Sequence, residues 1–251
     1  MKFQLVALWC SLLFCTAASA ETLRFRGYAF DLKSDRYLYT EVHEQIIENG
    51  QWRRGRIRYF DAQGRIIGDK TLDFGAHATI PLYRFELPAE RYVEAITAVG
   101  GGEVKLHKQA DGKSQDKTLK AGGDSAADSG FHNYLLAHFD ELLAGRTVTF
   151  QFIVAGNLDA YRFRARRIGD KTLDGKAALR IRVEPDSVLR WLVDPLELGY
   201  DPNSKKLLEY RGISNVHDPA TGKAYNARIV FPDQPPAGAP PSLPPLEIGG
   251  E

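Results

Sequence analysis

Tyr37–Phe60, YLYTEVHEQIIENGQWRRGRIRYF, is the stretch whose reading decides the fold. Tyr37–His43 alternates in character, so successive side chains point to opposite faces of a sheet. Asn49-Gly50 follows, a hairpin signal because both residues tolerate positive φ. Arg56–Phe60 then reads as the return strand and Asp61–Gly64 as the next turn. The pattern is a meander of antiparallel strands with tight connections.

The same grammar extends outward. Leu23–Phe30, Leu82–Phe85, Tyr92–Ile96 and Val104–Leu106 read as strands on either side, with a glycine break at 100–102. A second series runs through Thr147–Val154, Tyr161–Ile168, Ala177–Glu184, Leu196–Tyr200, Lys206–Gly212 and Ala227–Phe231. Between the two series the spacing of Phe131, Leu135, Phe139 and Leu142 predicts one amphipathic helix over 131–143, closed by Gly145. Residues of about 107–128, rich in Lys, Asp, Gly and Ser, read as a charged linker. Ser187–Val193 reads as a helical turn, and the Pro-rich tail 232–251 as extended or disordered. The expected fold is all-β, a mostly antiparallel sandwich or partly open barrel over 21–231, with one central helix.

The heptapeptide IGDKTLD occurs twice, at Ile67–Asp73 and Ile168–Asp174. Two explanations stand: a decayed duplication, or turn chemistry that selects the same residues in two places.

The first 20 residues carry Lys2, an apolar run to Cys15 and Ala18-Ser19-Ala20, the pattern of a secretory signal cleaved after Ala20. The expected location is periplasmic or secreted. Phe14 before Cys15 is too bulky for a lipoprotein site. Both cysteines fall inside the signal, so the remaining chain offers no disulfide, cysteine metal site or thiol nucleophile. Basic and acidic residues nearly cancel (33 against 32), which argues against a nucleic-acid partner. No later apolar run is long enough to cross a membrane.

Phosphate loops, dinucleotide fingerprints and nucleophile elbows are absent, and no cofactor is expected. Glu41 and His43, two apart on one strand face, are the candidate acid–base pair of a hydrolase, with a cross-strand polar pair on an exposed face as the alternative. Further ligands for a metal are not identifiable beside them. Lys70 is expected to pair with Glu41 across the sheet. His132 and His138 have packing or helix-end roles, His217 a solvent-facing turn role, and Ser214 a strand-end role. The binding candidates are Phe131, Tyr134, Leu135, Phe139 and Leu142, which would line or fill a cavity between helix and sheet, with Lys70 added. Such a cavity suits an apolar small molecule or another envelope component. The Pro-rich tail is a third candidate, as a docking segment.

Several stretches taken together resemble a family: Tyr37–His43, Tyr59–Gly64, Lys70–Phe74, Gly130–Tyr134, Asp140–Gly145, Leu207–Asn215 and the closing strand to Phe231. They are similar to exported proteins of unknown function from Gram-negative bacteria, and beyond these to periplasmic β-rich domains of the YmcC-like kind. The resemblance implies export, a mostly antiparallel β fold and no known cofactor. It brings no catalytic residues.

Overall fold

The computed structural model describes residues 20–187, 194–240 and 242–243. The signal segment before Ala20 and most of the expected turn Ser187–Val193 lie outside the described residues. The first series of strands is β1 (Ala20–Asp31), β2 (Tyr37–Glu48), β3 (Gln51–Phe60), β4 (Ile66–Asp73), β5 (Leu82–Leu87), β6 (Tyr92–Gly100), β7 (Glu103–Ala110) and β8 (Lys113–Lys120). Then come β9 (Ser125–Ala127), α1 (Gly130–Ala137) and α2 (Phe139–Leu143). The second series is β10 (Val148–Val154), β11 (Asp159–Leu173), β12 (Lys176–Pro185), β13 (Leu196–Tyr200), β14 (Leu207–Asp218) and β15 (Lys223–Val230).

All fifteen strands join one sheet, in the order β8-β7-β6-β5-β4-β3-β2-β1-β15-β14-β13-β12-β11-β10-β9. Every neighbouring pair is antiparallel except β9–β10. The fold is therefore all-β, as the alternation requires. It consists of two meanders joined in the middle by β1–β15, where Tyr28 opposes Val230 and Asp31 opposes Ala227.

Three hairpins turn on an Asx-Gly pair, at Asn49-Gly50, Asp111-Gly112 and Asp174-Gly175. Both residues of each pair have positive φ, as the tightest hairpin turn demands. The middle one corrects the expected linker. Residues 103–120 form the hairpin β7–β8, and Ser125–Ala127 form β9. Charge hid this hairpin. Nearly every side chain of β8 is exposed, because β8 is an edge strand and needs no apolar face.

The sheet rolls until its edges overlap. Period two puts Phe150 and Phe152 on one face of β10 and Ile153 on the other. Phe150 and Phe152 pack in a cluster with Ile181, Leu198 and Tyr200, whereas Ile153 and Ala155 pack with Ile57, Phe85 and Leu106 of the first meander. Both faces of this hairpin end are thus covered, and the β10–β11 turn wedges against β6. A Cβ on Gly156 would lie 2.3 Å from Glu94 Oε2 and 2.7 Å from Tyr92 Oη. Lys117 of β8 reaches Asp159 of β11 at 3.4 Å across the same seam. The β5–β6 and β10–β11 connections are alike, each a 3₁₀ turn ended by a non-glycine in the left-handed region, Arg91 and Leu158.

The copies of IGDKTLD occupy unlike settings. The first runs through β4 into Asp73, while the second ends β11 and enters the Asp174-Gly175 turn.

The expected single helix is two helices, interrupted at His138, whose φ of −106° and ψ of 17° leave the helical region. Both pieces pack on β10–β13: Tyr134, Leu135, Phe139 and Leu142 are buried against Phe150, Ile181 and Leu198. Parts of the described tail touch the sheet, although Asp233, Gln234, Pro235, Ala237 and Gly238 are exposed. Pro240 is buried, Gly238 lies beside Tyr37, and Leu243 lies beside Gly64.

Outside, carboxylates bridge pairs of arginines. Asp69 lies against Arg56 and Arg58, Glu184 against Arg164 and Arg166, and Glu197 against Arg180 and Arg182. Cross-strand pairing of this kind neutralises the arginines locally.

Candidate functional site

The roll surrounds a cavity of about 2020 Å³ that opens to solvent. Period two dictates what enters it. On β2, His43 and Glu41 face inward, opposite Ile57 and Tyr59 of β3, and Lys70 of β4 follows in the same row. Phe25, Trp52, Phe131, Phe152, Phe163 and Phe231 supply apolar walls. Glu41, His43, Lys70, Glu94, Asp128 and Asn215 are among its polar residues, and Arg24, Arg26, Lys108, Arg162 and Lys206 line it as well.

Glu41 and His43 meet at 2.8 Å, Oε2 to Nε2, and both are buried. The contact takes up Nε2 and leaves Nδ1 as the ring nitrogen free to meet a guest. Nδ1 is buried and has no hydrogen-bond partner among the described residues. The imidazole stacks on Phe25 at 4.5 Å, and Phe231 stands edge-on at 6.1 Å. The pair is therefore enclosed, not on the exposed face that was one expectation.

Lys70 does not pair with Glu41. Its Nζ donates to Asp128 Oδ2 at 2.5 Å and to Asn215 Oδ1 at 3.1 Å. The side chains of Lys70 and Asp128 are only 2% and 3% exposed, so the contact joins two desolvated charges. It also ties β4 to β14 and to the segment that opens α1. Glu94 accepts from Tyr83 Oη at 3.1 Å and from Tyr92 Oη at 2.6 Å. Burial, then the charge of Glu94, pushes both phenols up. Burial and the charge of Glu41 do the same for Tyr59. These tyrosines remain protonated donors.

Of the residues expected to bind, the structure brings Phe131 and Lys70 to the cavity together with Glu41 and His43. Tyr134, Leu135, Phe139 and Leu142 lie in the second cluster and fill the roll instead of lining the cavity. His217 is no solvent-facing turn residue: it belongs to β14, and its Nδ1 meets Glu90 Oε2 at 2.6 Å. Ser214 lines the cavity, but its hydroxyl donates to the carbonyl of Val216. His132 Nδ1 meets Tyr200 Oη at 2.8 Å, and burial lowers its pKa to about 4. Sequence reasoning missed Glu94, Asp128 and Asn215. A carboxylate on the inward parity of Tyr92-Val93-Glu94-Ala95-Ile96 was a usable signal, whereas Asp128 was hidden in the supposed linker.

No family model matches the chain, and no curated protein matches it. Among solved structures it is similar to a beta-barrel-like protein of a domain of unknown function, DUF1849, from Brucella abortus. The identity is 10%, over 85% of this chain and 97% of that one, with a TM-score of 0.41. Among the described residues no helix is long and apolar enough to cross a membrane, and no group of three or more His, Cys, Asp or Glu is placed to hold a metal.

Proposed function

We propose that this chain is an exported envelope protein that binds a lipid-like small molecule inside its rolled sheet. The observation that carries the reading is the cavity. At about 2020 Å³ it exceeds the range of about 300–1,000 Å³ usual for small-ligand pockets, which suits an elongated guest. Aromatic walls at Phe131, Phe152 and Phe163 favour an apolar body, and the Glu41–His43 and Lys70–Asp128 pairs offer a polar terminus. Protein recovered from a bacterial periplasm is expected to carry a discrete co-purifying mass in native mass spectra, released by organic solvent. Clean apo protein that also fails to take up a neutral apolar dye would overturn the reading.

A second reading is favoured by the 2.8 Å Glu41–His43 contact: a hydrolase in which this buried pair activates water. Turnover of p-nitrophenyl decanoate that disappears in His43→Ala would support it. Equal rates in the two proteins would remove it.

A further inference from the structure

We propose that the outer face of β11–β14 is a docking surface for an anionic phospholipid membrane. The inference stands apart from the cavity and from the binding reading. Period two puts Ala165, Leu179, Ile181, Val183 and Leu198 on the inner face, in the second cluster, so their neighbours along each strand point outward. Arg166 opposes Arg182, Arg182 opposes Glu197, and Glu197 opposes Arg211. One cross-strand row thus holds three arginines and one glutamate. The adjoining rows add Arg164, Lys171 and Arg180, with Glu184 and Glu209.

Six cations therefore share three carboxylates: Arg164 and Arg166 share Glu184, Arg180 and Arg182 share Glu197, and Lys171 and Arg211 share Glu209. A carboxylate offsets only one of the two charges it bridges, so three positive charges remain. In two of the bridges the second cation is also loosely held. Arg166 stands 3.5 Å from Glu184 and Arg211 3.6 Å from Glu209, longer than a hydrogen bond. Both guanidinium groups are more than a third exposed, and each can meet a phosphate with two N–H donors. At the margins Arg162, Lys176 and Arg228 are each met by an acid, Asp186, Asp233 and Asp35, and Asp194 lies beside Asn226. The excess belongs to the middle of the face. The same face carries an apolar point: Ile213 lies two residues beyond Arg211, opposite Asn226, and is 61% exposed. Neighbouring strands lie about 4.8 Å apart, so the cationic rows extend about 14 Å across the sheet. A broad cationic plane with an exposed isoleucine beside it matches a bilayer surface, which offers a plane of phosphates over an apolar layer. A soluble polyanion would leave the isoleucine unused.

The test is flotation with vesicles of phosphatidylcholine alone and of phosphatidylcholine and phosphatidylglycerol in equal parts. At about 50 mM NaCl the protein is expected to bind the anionic vesicles at least about tenfold more than the neutral ones, and the gap should close at about 500 mM. Arg166→Gln with Arg211→Gln should cut binding to anionic vesicles about fivefold or more. Arg54→Gln with Arg84→Gln, which removes the same charge from exposed pairs of the first meander, should change it less than about twofold. Ile213→Ser should cut it about threefold. Each variant is checked for native circular dichroism, and if the patch double variant does not fold, Arg211→Gln against Arg84→Gln carries the same comparison. Equal binding to the two kinds of vesicle, or an equal loss in patch and control variants, overturns the inference. Retention on heparin without vesicle binding reassigns the face to a soluble polyanion and overturns it too. None of these outcomes bears on dye uptake, so the binding reading stands or falls separately.

Discussion

The two meanders share one sheet but treat their interiors differently. In the second, α1 and α2 lay Tyr134, Leu135, Phe139 and Leu142 on Phe150, Ile181 and Leu198 and fill one part of the interior, while Phe152, Phe163 and Tyr210 still line the cavity. In the first no helix descends, and the inward positions include Glu41, His43, Lys70 and Glu94. Rolled sheets leave a hollow by default, because strands cannot reach the axis. Whether the hollow becomes core or site depends on whether a connection brings side chains into it. Here the segment between β9 and β10 does so for part of the second half only.

The two largest expected effects attack the halves separately. Phe139→Ala empties a position 1% exposed, against Tyr200, and should lower stability by ~3–5 kcal/mol in urea unfolding with dye uptake unchanged. Lys70→Met leaves Asp128 buried without its cation and should lower stability by ~3–5 kcal/mol, and it should reduce dye uptake as well. The double variant Lys70→Met with Asp128→Asn, which keeps an acceptor for Ser129 and tolerates positive φ, should recover most of that stability. If it does not, the pair is not what holds β4 to the entrance of α1.

The next effect is one of pH and belongs to the second half. Burial lowers the pKa of His132 to about 4, below the ordinary value of 6.5. Between these values the unfolded chain binds the proton and the folded chain does not, so stability falls as pH drops from about 6.5 to 4. The loss is on the order of 2 kcal/mol, allowing for partial exposure of the ring. His132→Phe should flatten the urea midpoint across that window. An unchanged pH dependence would show that the histidine is freely hydrated.

Gly156→Ala tests the seam where the halves overlap. Its Cβ would lie 2.3 Å from Glu94 Oε2, and a loss of ~1–3 kcal/mol is expected in thermal unfolding. The smallest effect is on the rim. Arg54→Ala breaks a 3.3 Å contact with Glu48 between exposed side chains and should change stability by ~0–1 kcal/mol.

Strand after strand was legible in the sequence because period two is a local signal. Asn49-Gly50 fixed one hairpin, and Tyr37–His43 fixed its inward face. What escaped was set by distance along the chain. Asp128 meets Lys70 across 58 residues and Asn215 meets it across 145, and no local pattern announces either contact. The β7–β8 hairpin escaped for another reason: an edge strand has no apolar face to reveal it. The Phe131–Leu143 periodicity identified the apolar face but not the break at His138, and its side chains pack into the second cluster, with Phe131 alone of the five at the cavity wall.

The strand order carries a consequence for how the chain assembles. Every pairing joins strands consecutive in the chain, except that β1 meets β15 across about two hundred residues. Each meander can therefore zip up from its own turns at small loop entropy, while the β1–β15 register must wait for both. The residues between β8 and β9, 121–124, meanwhile tether the two outer edges. The join at Tyr28–Val230 is thus the last stitch in the fabric, and φ-values there should lie near zero while those at Asn49-Gly50 run higher.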